Sequence, residues 1–237
     1  MGEMMFGLGP PFPRICDMLF PMKSWKEFLA VLFVCAVVVS LNLQATKSSE
    51  TKGPSPAPNL TKSLGDPKYD LVLVQLDSDP QLVQWCQEEI EATTGVRVVR
   101  ILRPTDSGES NPAFNPQRSQ YEAEGLIGQL RDFKIEPSET VLAVTSKDLY
   151  LSSVPEWRYC FGTHAANRTA IISSVRMGAR FQDSLFSNER AKDRFRKLLL
   201  RYVLEMAYQT PRNDNPSSLL YKSVLGPRDL DAMDYKI

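Results

Sequence analysis

The segment Tyr69–Asp77, with the sequence YDLVLVQLD, decides the fold class. Its Leu and Val residues are typical of a strand that is buried on both faces of a sheet. Apolar residues at helical spacing follow at Gln81–Thr94, after Pro80, and Gly95 is a suitable end for that helix. Val96–Leu102 then predicts a second strand. A strand, a helix and a strand in succession indicate a β-α-β unit with parallel strands.

The alternation of helices and strands continues through the rest of the chain. The same criteria predict one helix, three strands and a long final helix, at Gln120–Phe133, Thr140–Thr145, Trp157–Thr163, Thr169–Val175 and Asn188–Gln209. The last two strands have no helix between them, which favours an antiparallel edge, and a loop containing His164 is expected to separate them. The sequence therefore predicts an α/β protein with a mixed sheet of about five strands, one of them an antiparallel edge strand, packed with three helices.

The composition excludes several classes of protein and of functional site. The chain has 237 residues, with 28 Lys and Arg against 28 Asp and Glu, so its formal net charge is zero. A balanced charge gives no electrostatic footprint for nucleic acid, which is not expected as a partner. A hydrophobic content of 43% is far too high for a disordered chain. Because His164 is the one histidine, zinc sites with two or three His ligands are excluded.

The N-terminal part of the chain has the pattern of a targeting segment. Phe28–Ala45 carries no charge, and Lys23 and Lys26 precede it, as in a secretory signal peptide or an uncleaved signal anchor. Met22 opens a conventional signal of this kind. The sequence therefore predicts an upstream extension, a signal peptide or signal anchor, a linker and a folded domain, at residues 1–21, 22–45, 46–65 and 66–237. The domain is expected outside the cytoplasm, either secreted or periplasmic, or anchored to the membrane through the N-terminal segment.

Two cysteines, Cys86 and Cys160, fall in the predicted domain. An extracytoplasmic location permits disulfides. One bridge between the two residues and two buried free thiols are both compatible with the sequence.

One face of the long final helix carries polar as well as apolar side chains. Arg201, Leu204, Glu205 and Tyr208 are spaced at i, i+3, i+4 and i+7, so they lie on a common face. The pattern alone predicts a half-buried helix flank on which Arg201 and Glu205 form an ion pair.

Four segments resemble sequences of the archaemetzincins, a family of zinc-dependent metzincin peptidases. They occur in the family's order at Ala113–Tyr121 (AFNPQRSQY), Thr140–Tyr150 (TVLAVTSKDLY), Phe161–Ala165 (FGTHA) and Ala170–Arg176 (AIISSVR). The resemblance covers roughly residues 69–237. It implies a metzincin-like twisted sheet with the long final helix as the zinc-binding helix.

The resemblance also implies where a zinc site would lie. The family's helix carries HExxHxxGxxH, in which three His bind zinc and the Glu is the general base. In this chain Leu204, Tyr208 and Asp214 are expected at the three His positions, and Pro211 at the Gly. Only Glu205 keeps the family residue, as a general base that is expected to be vestigial. One carboxylate without imidazoles makes no tetrahedral zinc site, so no zinc or other cofactor is expected.

The family's second zinc site is cysteine-rich, and no Cys follows Cys160 in this chain. The resemblance therefore implies a scaffold that has kept its strands and helices but lost the residues of both metal sites. That combination is typical of a pseudoenzyme.

These observations lead to a main hypothesis and two alternatives. The main hypothesis is an exported or membrane-anchored, inactive pseudo-metallopeptidase that binds peptides in a degenerate cleft formed by Leu204, Tyr208, Asp214 and His164. The first alternative is an active peptidase with a rearranged site that uses Glu205 and Asp214, with His164 as a further candidate. The second is an envelope-associated α/β domain whose resemblance to the family is accidental.

Overall fold

The computed structural model describes residues 60–104, 110–133, 135–165, 168–178 and 185–237. The strands are β1 (Asp70–Leu76), β2 (Val98–Leu102), β3 (Phe114–Asn115), β4 (Gln120–Glu122), β5 (Glu139–Thr145), β6 (Leu149–Tyr150), β7 (Gly162–Ala165) and β8 (Thr169–Ser173). The helices are α1 (Thr61–Leu64), α2 (Pro80–Thr94), α3 (Ala123–Leu130), α4 (Glu189–Ala207) and α5 (Pro227–Ala232), with a 3-10 turn at Leu185–Ser187.

The main sheet has five strands in the order β2-β1-β5-β8-β7. The first four are parallel, and β7 lies at one edge, antiparallel to β8. A small second sheet has the order β3-β4-β6. The predicted fold class, a mixed sheet of five strands with one antiparallel edge strand and three long helices, is confirmed.

Helices cover both faces of the main sheet, which is why its central strands are apolar throughout. Leu71 and Leu73 of β1 point into a core cluster shared with α2 and α4, whereas Val72 and Val74 point into a second cluster shared with α3. All seven residues of β5 are buried. Successive side chains of a strand alternate between faces, so each central strand contributes to both clusters.

The ends of α2 and α4 follow from local signals in the sequence. The side chain of Asp79 accepts a hydrogen bond from the Gln81 amide at the start of α2, and Gly95 ends that helix with a left-handed φ of 75°. The side chain of Asn188 caps α4 by accepting from the Ala191 amide. Capping residues of this kind satisfy backbone groups that the helix itself leaves unpaired.

Two predicted elements differ from the structure. The helix predicted at Gln120–Phe133 begins at Ala123, because Gln120–Glu122 pairs as strand β4 with β3 and β6. The strand predicted at Trp157–Thr163 lies at Gly162–Ala165 instead, so His164 is part of a strand rather than of a loop. In both places backbone pairing decides the structure, and the apolar pattern does not reveal it.

The N-terminal predictions fall mostly outside the described residues. The upstream extension, the signal peptide or anchor and linker residues 46–59 are among these. Residues 60–65, predicted as linker, belong to the folded domain, because Leu60 packs in the core and its amide donates to the Thr93 carbonyl at 2.9 Å. Among the described residues, no helix is both long and apolar enough to cross a membrane.

The two cysteines of the domain are free thiols, and both are buried. Cys86 belongs to the core cluster of α2 and α4, and Cys160 to the cluster of α3. Burial raises the pKa of both thiols, that of Cys160 to about 12. The disulfide left open by the sequence is therefore absent from the described part of the chain.

Candidate functional site

Four polar side chains meet between the edge strand β7 and the second half of α4. Arg201 and Glu205 come from α4, Arg212 from the segment that follows this helix, and His164 from β7. Arg212 holds the Glu205 carboxylate with two hydrogen bonds, from Nε to Oε1 at 2.6 Å and from Nη2 to Oε2 at 2.9 Å. Arg201 Nε donates to the same Oε1 at 3.2 Å. The ion pair predicted for Arg201 and Glu205 is therefore confirmed, and Arg212 completes a clamp on the carboxylate.

This clamp is largely withdrawn from solvent. The Glu205 side chain is 8% exposed, that of Arg201 3% and that of Arg212 31%. Two guanidinium groups share one carboxylate, so these three residues carry one uncompensated positive charge. Bidentate pairing with Arg212 stabilises the ionised carboxylate more than a single hydrogen bond would.

His164 is a neutral member of the cluster. Burial lowers its pKa, and the charges of Arg212 and Arg201 lower it further, against the opposing effect of Glu205. Its Nδ1 lies 3.2 Å from Arg212 Nη2 and 3.7 Å from Glu205 Oε2. Because a guanidinium only donates, Nδ1 is the acceptor in the contact with Arg212.

Arg201 has one nitrogen with no acceptor. Its Nη2 donates to the Lys222 carbonyl at 3.3 Å, whereas its Nη1 is buried without a hydrogen-bond partner among the described residues. Burial lowers the pKa of Arg201, and the nearby charge of Arg212 lowers it further. The side chain is thus a buried cation whose hydrogen-bonding capacity is only partly used.

The other residues predicted for the site lie elsewhere. Leu204 is fully buried in the core, and the Tyr208 hydroxyl donates to the Thr94 carbonyl at the end of α2, at 2.6 Å. The Asp214 side chain is 78% exposed and pairs with Lys222 at 2.5 Å. The structure therefore brings His164 and Glu205 together but not the remaining members of the predicted cleft.

The orientation of α4 explains why Leu204 and Tyr208 do not face the site. The pair of side chains at i and i+4 that faces β7 is Arg201 and Glu205, whereas Leu204 and Tyr208 pack into the protein. Arg212 was not predicted, because it lies beyond the helix and reaches back over seven residues to Glu205. A basic residue shortly after the helix was the only signal in the sequence for it.

A pocket of about 530 Å³ adjoins this cluster. It lies between the segment that leads into β7, the helix α4 and residues 222–225. Trp157, Tyr159, Phe161, Val224 and Leu225 contribute apolar walls, and the rings of Tyr159 and Phe161 pack edge to face with centroids 5.4 Å apart. The charged residues that line it are all basic, namely Arg158, Arg201, Arg212 and Lys222.

Solved structures with the same fold include two archaemetzincins and a zinc-dependent peptidase. An archaemetzincin from Methanopyrus kandleri superposes with a TM-score of 0.55 and 25% identity, over 71% of this chain and 88% of that one. A zinc-dependent peptidase from Methanocorpusculum labreanum gives a TM-score of 0.52 and 21% identity, over 70% and 95% of the two chains. An archaemetzincin from Archaeoglobus fulgidus, in complex with malonate, gives 0.53 and 17%, over 70% and 94%.

The fold is that of the archaemetzincins. No protein-family model and no curated protein sequence matches the chain. The relation to archaemetzincins therefore rests on the four sequence segments and on the superposed structures.

The site of this archaemetzincin-like fold does not suit a zinc ion. Among the described residues, no group of three or more His, Cys, Asp or Glu side chains is placed to hold a metal. The carboxylate oxygens of Glu205 accept from Arg201 and Arg212, so guanidinium groups lie against the one carboxylate on this face of α4. Tetrahedral zinc needs a set of neutral imidazoles, thiolates or carboxylates, and cations in contact with the carboxylate oppose its binding.

Proposed function

We propose that the protein is a pseudo-peptidase, an archaemetzincin-like domain that binds peptides without cleaving them. The clamp of Arg201 and Arg212 on Glu205 is the observation that carries this proposal. A general base must present a free carboxylate oxygen to the water that it activates, within hydrogen-bonding distance. In this protein both oxygens accept from guanidinium groups, so the carboxylate acts as a structural partner of two arginines.

The binding surface in this proposal is the outer edge of β7. In the described part of the chain, β7 pairs with β8 alone. An extended peptide can add to such an edge as a further strand, with main-chain hydrogen bonds supplying affinity and an adjacent pocket supplying selectivity. The pocket beside the clamp lies next to this edge, because Gly162 is both the first residue of β7 and part of the pocket lining.

Catalytic inactivity is tested by zinc content and peptide turnover of the full chain, purified in mild detergent. Elemental analysis is expected to find far less than one zinc per chain. A mixed peptide library is expected to remain uncleaved by the parent protein and equally by Glu205→Gln. Stoichiometric zinc would contradict the proposal, and cleavage by the parent that Glu205→Gln abolishes would instead support an active peptidase that uses Glu205; loss of that cleavage in Asp214→Asn would be needed to include Asp214.

Peptide binding at the strand edge has its own test. A fluorescein-labelled peptide of alternating Val and Thr is expected to bind the full chain in an anisotropy titration. The same peptide with alternate backbone amides N-methylated is expected to lose binding, because it cannot donate hydrogen bonds to β7. Equal binding of the two peptides would show that the edge of β7 is not the binding surface.

We further propose that the domain acts outside the cytoplasm, secreted, periplasmic or anchored to a membrane. The uncharged run Phe28–Ala45 behind Lys23 and Lys26 supports this. Cell fractionation is expected to recover the full chain outside the cytoplasm, and a variant lacking residues 22–45 inside it. Recovery of both in the cytoplasm would contradict the proposal.

A further inference from the structure

The pocket beside β7 combines apolar walls with unbalanced positive charge. Its lining includes four basic residues and, among the described residues, no acidic one. Glu205 lies behind the lining and is shared between Arg201 and Arg212. Lys222 is the basic residue of this lining with its own acidic partner, the exposed Asp214. Among the described residues, Arg158 and the pair of Arg201 and Arg212 thus leave the lining with an excess of positive charge, which an anionic ligand would reduce.

Arg201 gives an independent indication of the same ligand. Buried polar groups in folded proteins nearly always have a hydrogen-bond partner, so a buried nitrogen without one calls for an explanation. Nη1 of Arg201 is such a nitrogen among the described residues, and the Arg201 side chain lines the pocket. A carboxylate is the acceptor that a guanidinium binds best, because it can receive two parallel hydrogen bonds.

The apolar walls of the pocket indicate that the ligand has an apolar group in addition to its carboxylate. Three large apolar side chains are classed as exposed in the described part of the chain, and two of them, Trp157 at 43% and Leu225 at 65%, line this pocket. Exposed apolar surface of this kind marks interaction sites. A ligand that covers Trp157 and Leu225 and also reaches Arg201 would carry an apolar side chain as well as a carboxylate.

We propose that this pocket binds the carboxylate of a peptide together with a neighbouring apolar side chain, while the rest of the peptide pairs with β7. The inference rests on the proposed peptide-binding function and names the chemistry that the site selects. The carboxylate is either the C-terminus of the peptide or the side chain of an Asp or Glu. Charge complementarity and the apolar rim together make the pocket selective for acidic, apolar peptide ends.

Three peptides test the proposal with the full chain in mild detergent, by anisotropy at constant salt. They are VTVTVL with a free C-terminus, VTVTVL with a C-terminal amide, and VTVTVLE with a C-terminal amide. At least one of the two acid-bearing peptides is expected to bind about ten-fold more tightly than the amide of VTVTVL, and the tighter one identifies the source of the carboxylate. Equal affinity for all three would overturn this inference and leave the proposed function intact, whereas no binding by any peptide would overturn both.

Variants test which residues of the pocket produce the preference for the acid peptides over the amide peptide. Arg201→Lys keeps the charge beside Glu205 but removes the guanidinium fork, and is expected to reduce the ten-fold preference to about three-fold or less. Trp157→Ala, on the exposed rim, is expected to weaken both acid and amide peptides alike and to preserve their ratio. Arg103→Gln, a surface arginine outside the pocket, is the matched control and is expected to change neither. If folded Arg201→Lys keeps the full preference for the acid peptide over the amide peptide, Arg201 does not bind the carboxylate. If the variant fails to fold, the comparison of the acid and amide peptides in the parent protein still tests the proposal.

Discussion

The carboxylate of Glu205 accepts hydrogen bonds from one arginine on its own helix and from another beyond the end of that helix. Glu205, Arg201 and Arg212 are mostly shielded from water, so each charge is stabilised mainly by the other two side chains. A buried ion pair contributes little compared with an apolar replacement of the whole group, but removing one partner leaves the other charge buried without compensation. Glu205 is therefore expected to contribute to the stability of the protein, whereas the resemblance to the archaemetzincins implies a general base at this position.

Glu205→Ala is expected to lower the free energy of unfolding by about 3–5 kcal/mol, because it leaves Arg201 and Arg212 facing each other without a carboxylate. Chemical denaturation followed by circular dichroism measures this change. Asp214→Asn is the matched control, since it removes a carboxylate whose partner Lys222 is exposed, and no measurable loss is expected. A Glu205→Ala variant as stable as the parent would show that the clamp is not a stabilising unit.

The state of His164 can be observed directly, because it is the one histidine of the chain. Burial lowers its pKa from the ordinary value of 6.5, so the ring is expected to titrate below this pH in an NMR experiment. A folded state that disfavours the imidazolium is fully stable above about pH 6.5 and loses stability as the pH falls toward the lower folded pKa. Arg212→Gln removes a neighbouring positive charge and is expected to raise the pKa of His164. A His164 signal that titrates above pH 6.5 in the parent would contradict this description.

Some residues of the site could be predicted from the sequence and others could not. The Arg201–Glu205 pair follows from helical spacing, which requires only the period of α4. Leu204 and Tyr208 were placed in the cleft by the family motif, but the structure turns them inward, because the orientation of a nearly fully buried helix depends on packing from all sides. Arg212 depends on the path of the chain after the helix, which local patterns do not determine.

At the scale of elements, β7 is the edge strand that forms the proposed peptide-binding surface. Gly162 opens this strand, and a Cβ at this position would lie 2.5 Å from the carbonyl oxygen of Ile171 on β8. That oxygen belongs to the backbone and cannot rotate away. The close pairing of the edge strand with β8 therefore requires glycine at residue 162.

Gly162→Ala is expected to destabilise the protein by about 1–3 kcal/mol, because β7 must move away from β8 to accommodate the methyl group. Peptide binding at the edge is expected to weaken as well. Gly128→Ala in α3 is the matched control, because nothing lies within 4 Å of the added Cβ. This substitution within a helix is expected to stabilise by about 0.5–1 kcal/mol. Equal effects of the two variants in denaturant melts would rule out a special role for Gly162.

Elements with a strong local pattern were predicted closely. β1, α2, β5 and α4 have continuous apolar runs or capping residues, and their observed ends lie within two residues of the predicted ones. β4 falls inside a predicted helix and β7 lies away from its predicted position, because each is short and is defined by backbone pairing, β4 with β3 and β6 and β7 with β8. Pairing partners of this kind are tertiary information, which periodicity does not contain.

At the scale of the whole molecule, the chain has the fold of the archaemetzincins, and among its described residues no group of side chains is placed to hold a metal. Metal that binds only the native state raises the melting temperature, and its removal lowers it. For this protein, neither added zinc chloride nor EDTA is expected to shift the thermal unfolding transition. A lower melting temperature in EDTA, restored by zinc, would reveal a bound metal and contradict the expected absence of zinc.

The two layers of the core, one on each face of the main sheet, each contain one buried cysteine. Both thiols are buried and burial raises their pKa, so iodoacetamide is expected to alkylate them mainly when the surrounding layer opens. Cys160, at the pocket and in the layer with α3, is expected to react faster than Cys86, which lies under α2 and α4. Equal rates, followed by mass spectrometry, would instead show that both layers open only in global unfolding. The ratio of the two alkylation rates thus measures how strongly the two faces of the sheet are coupled in the native state.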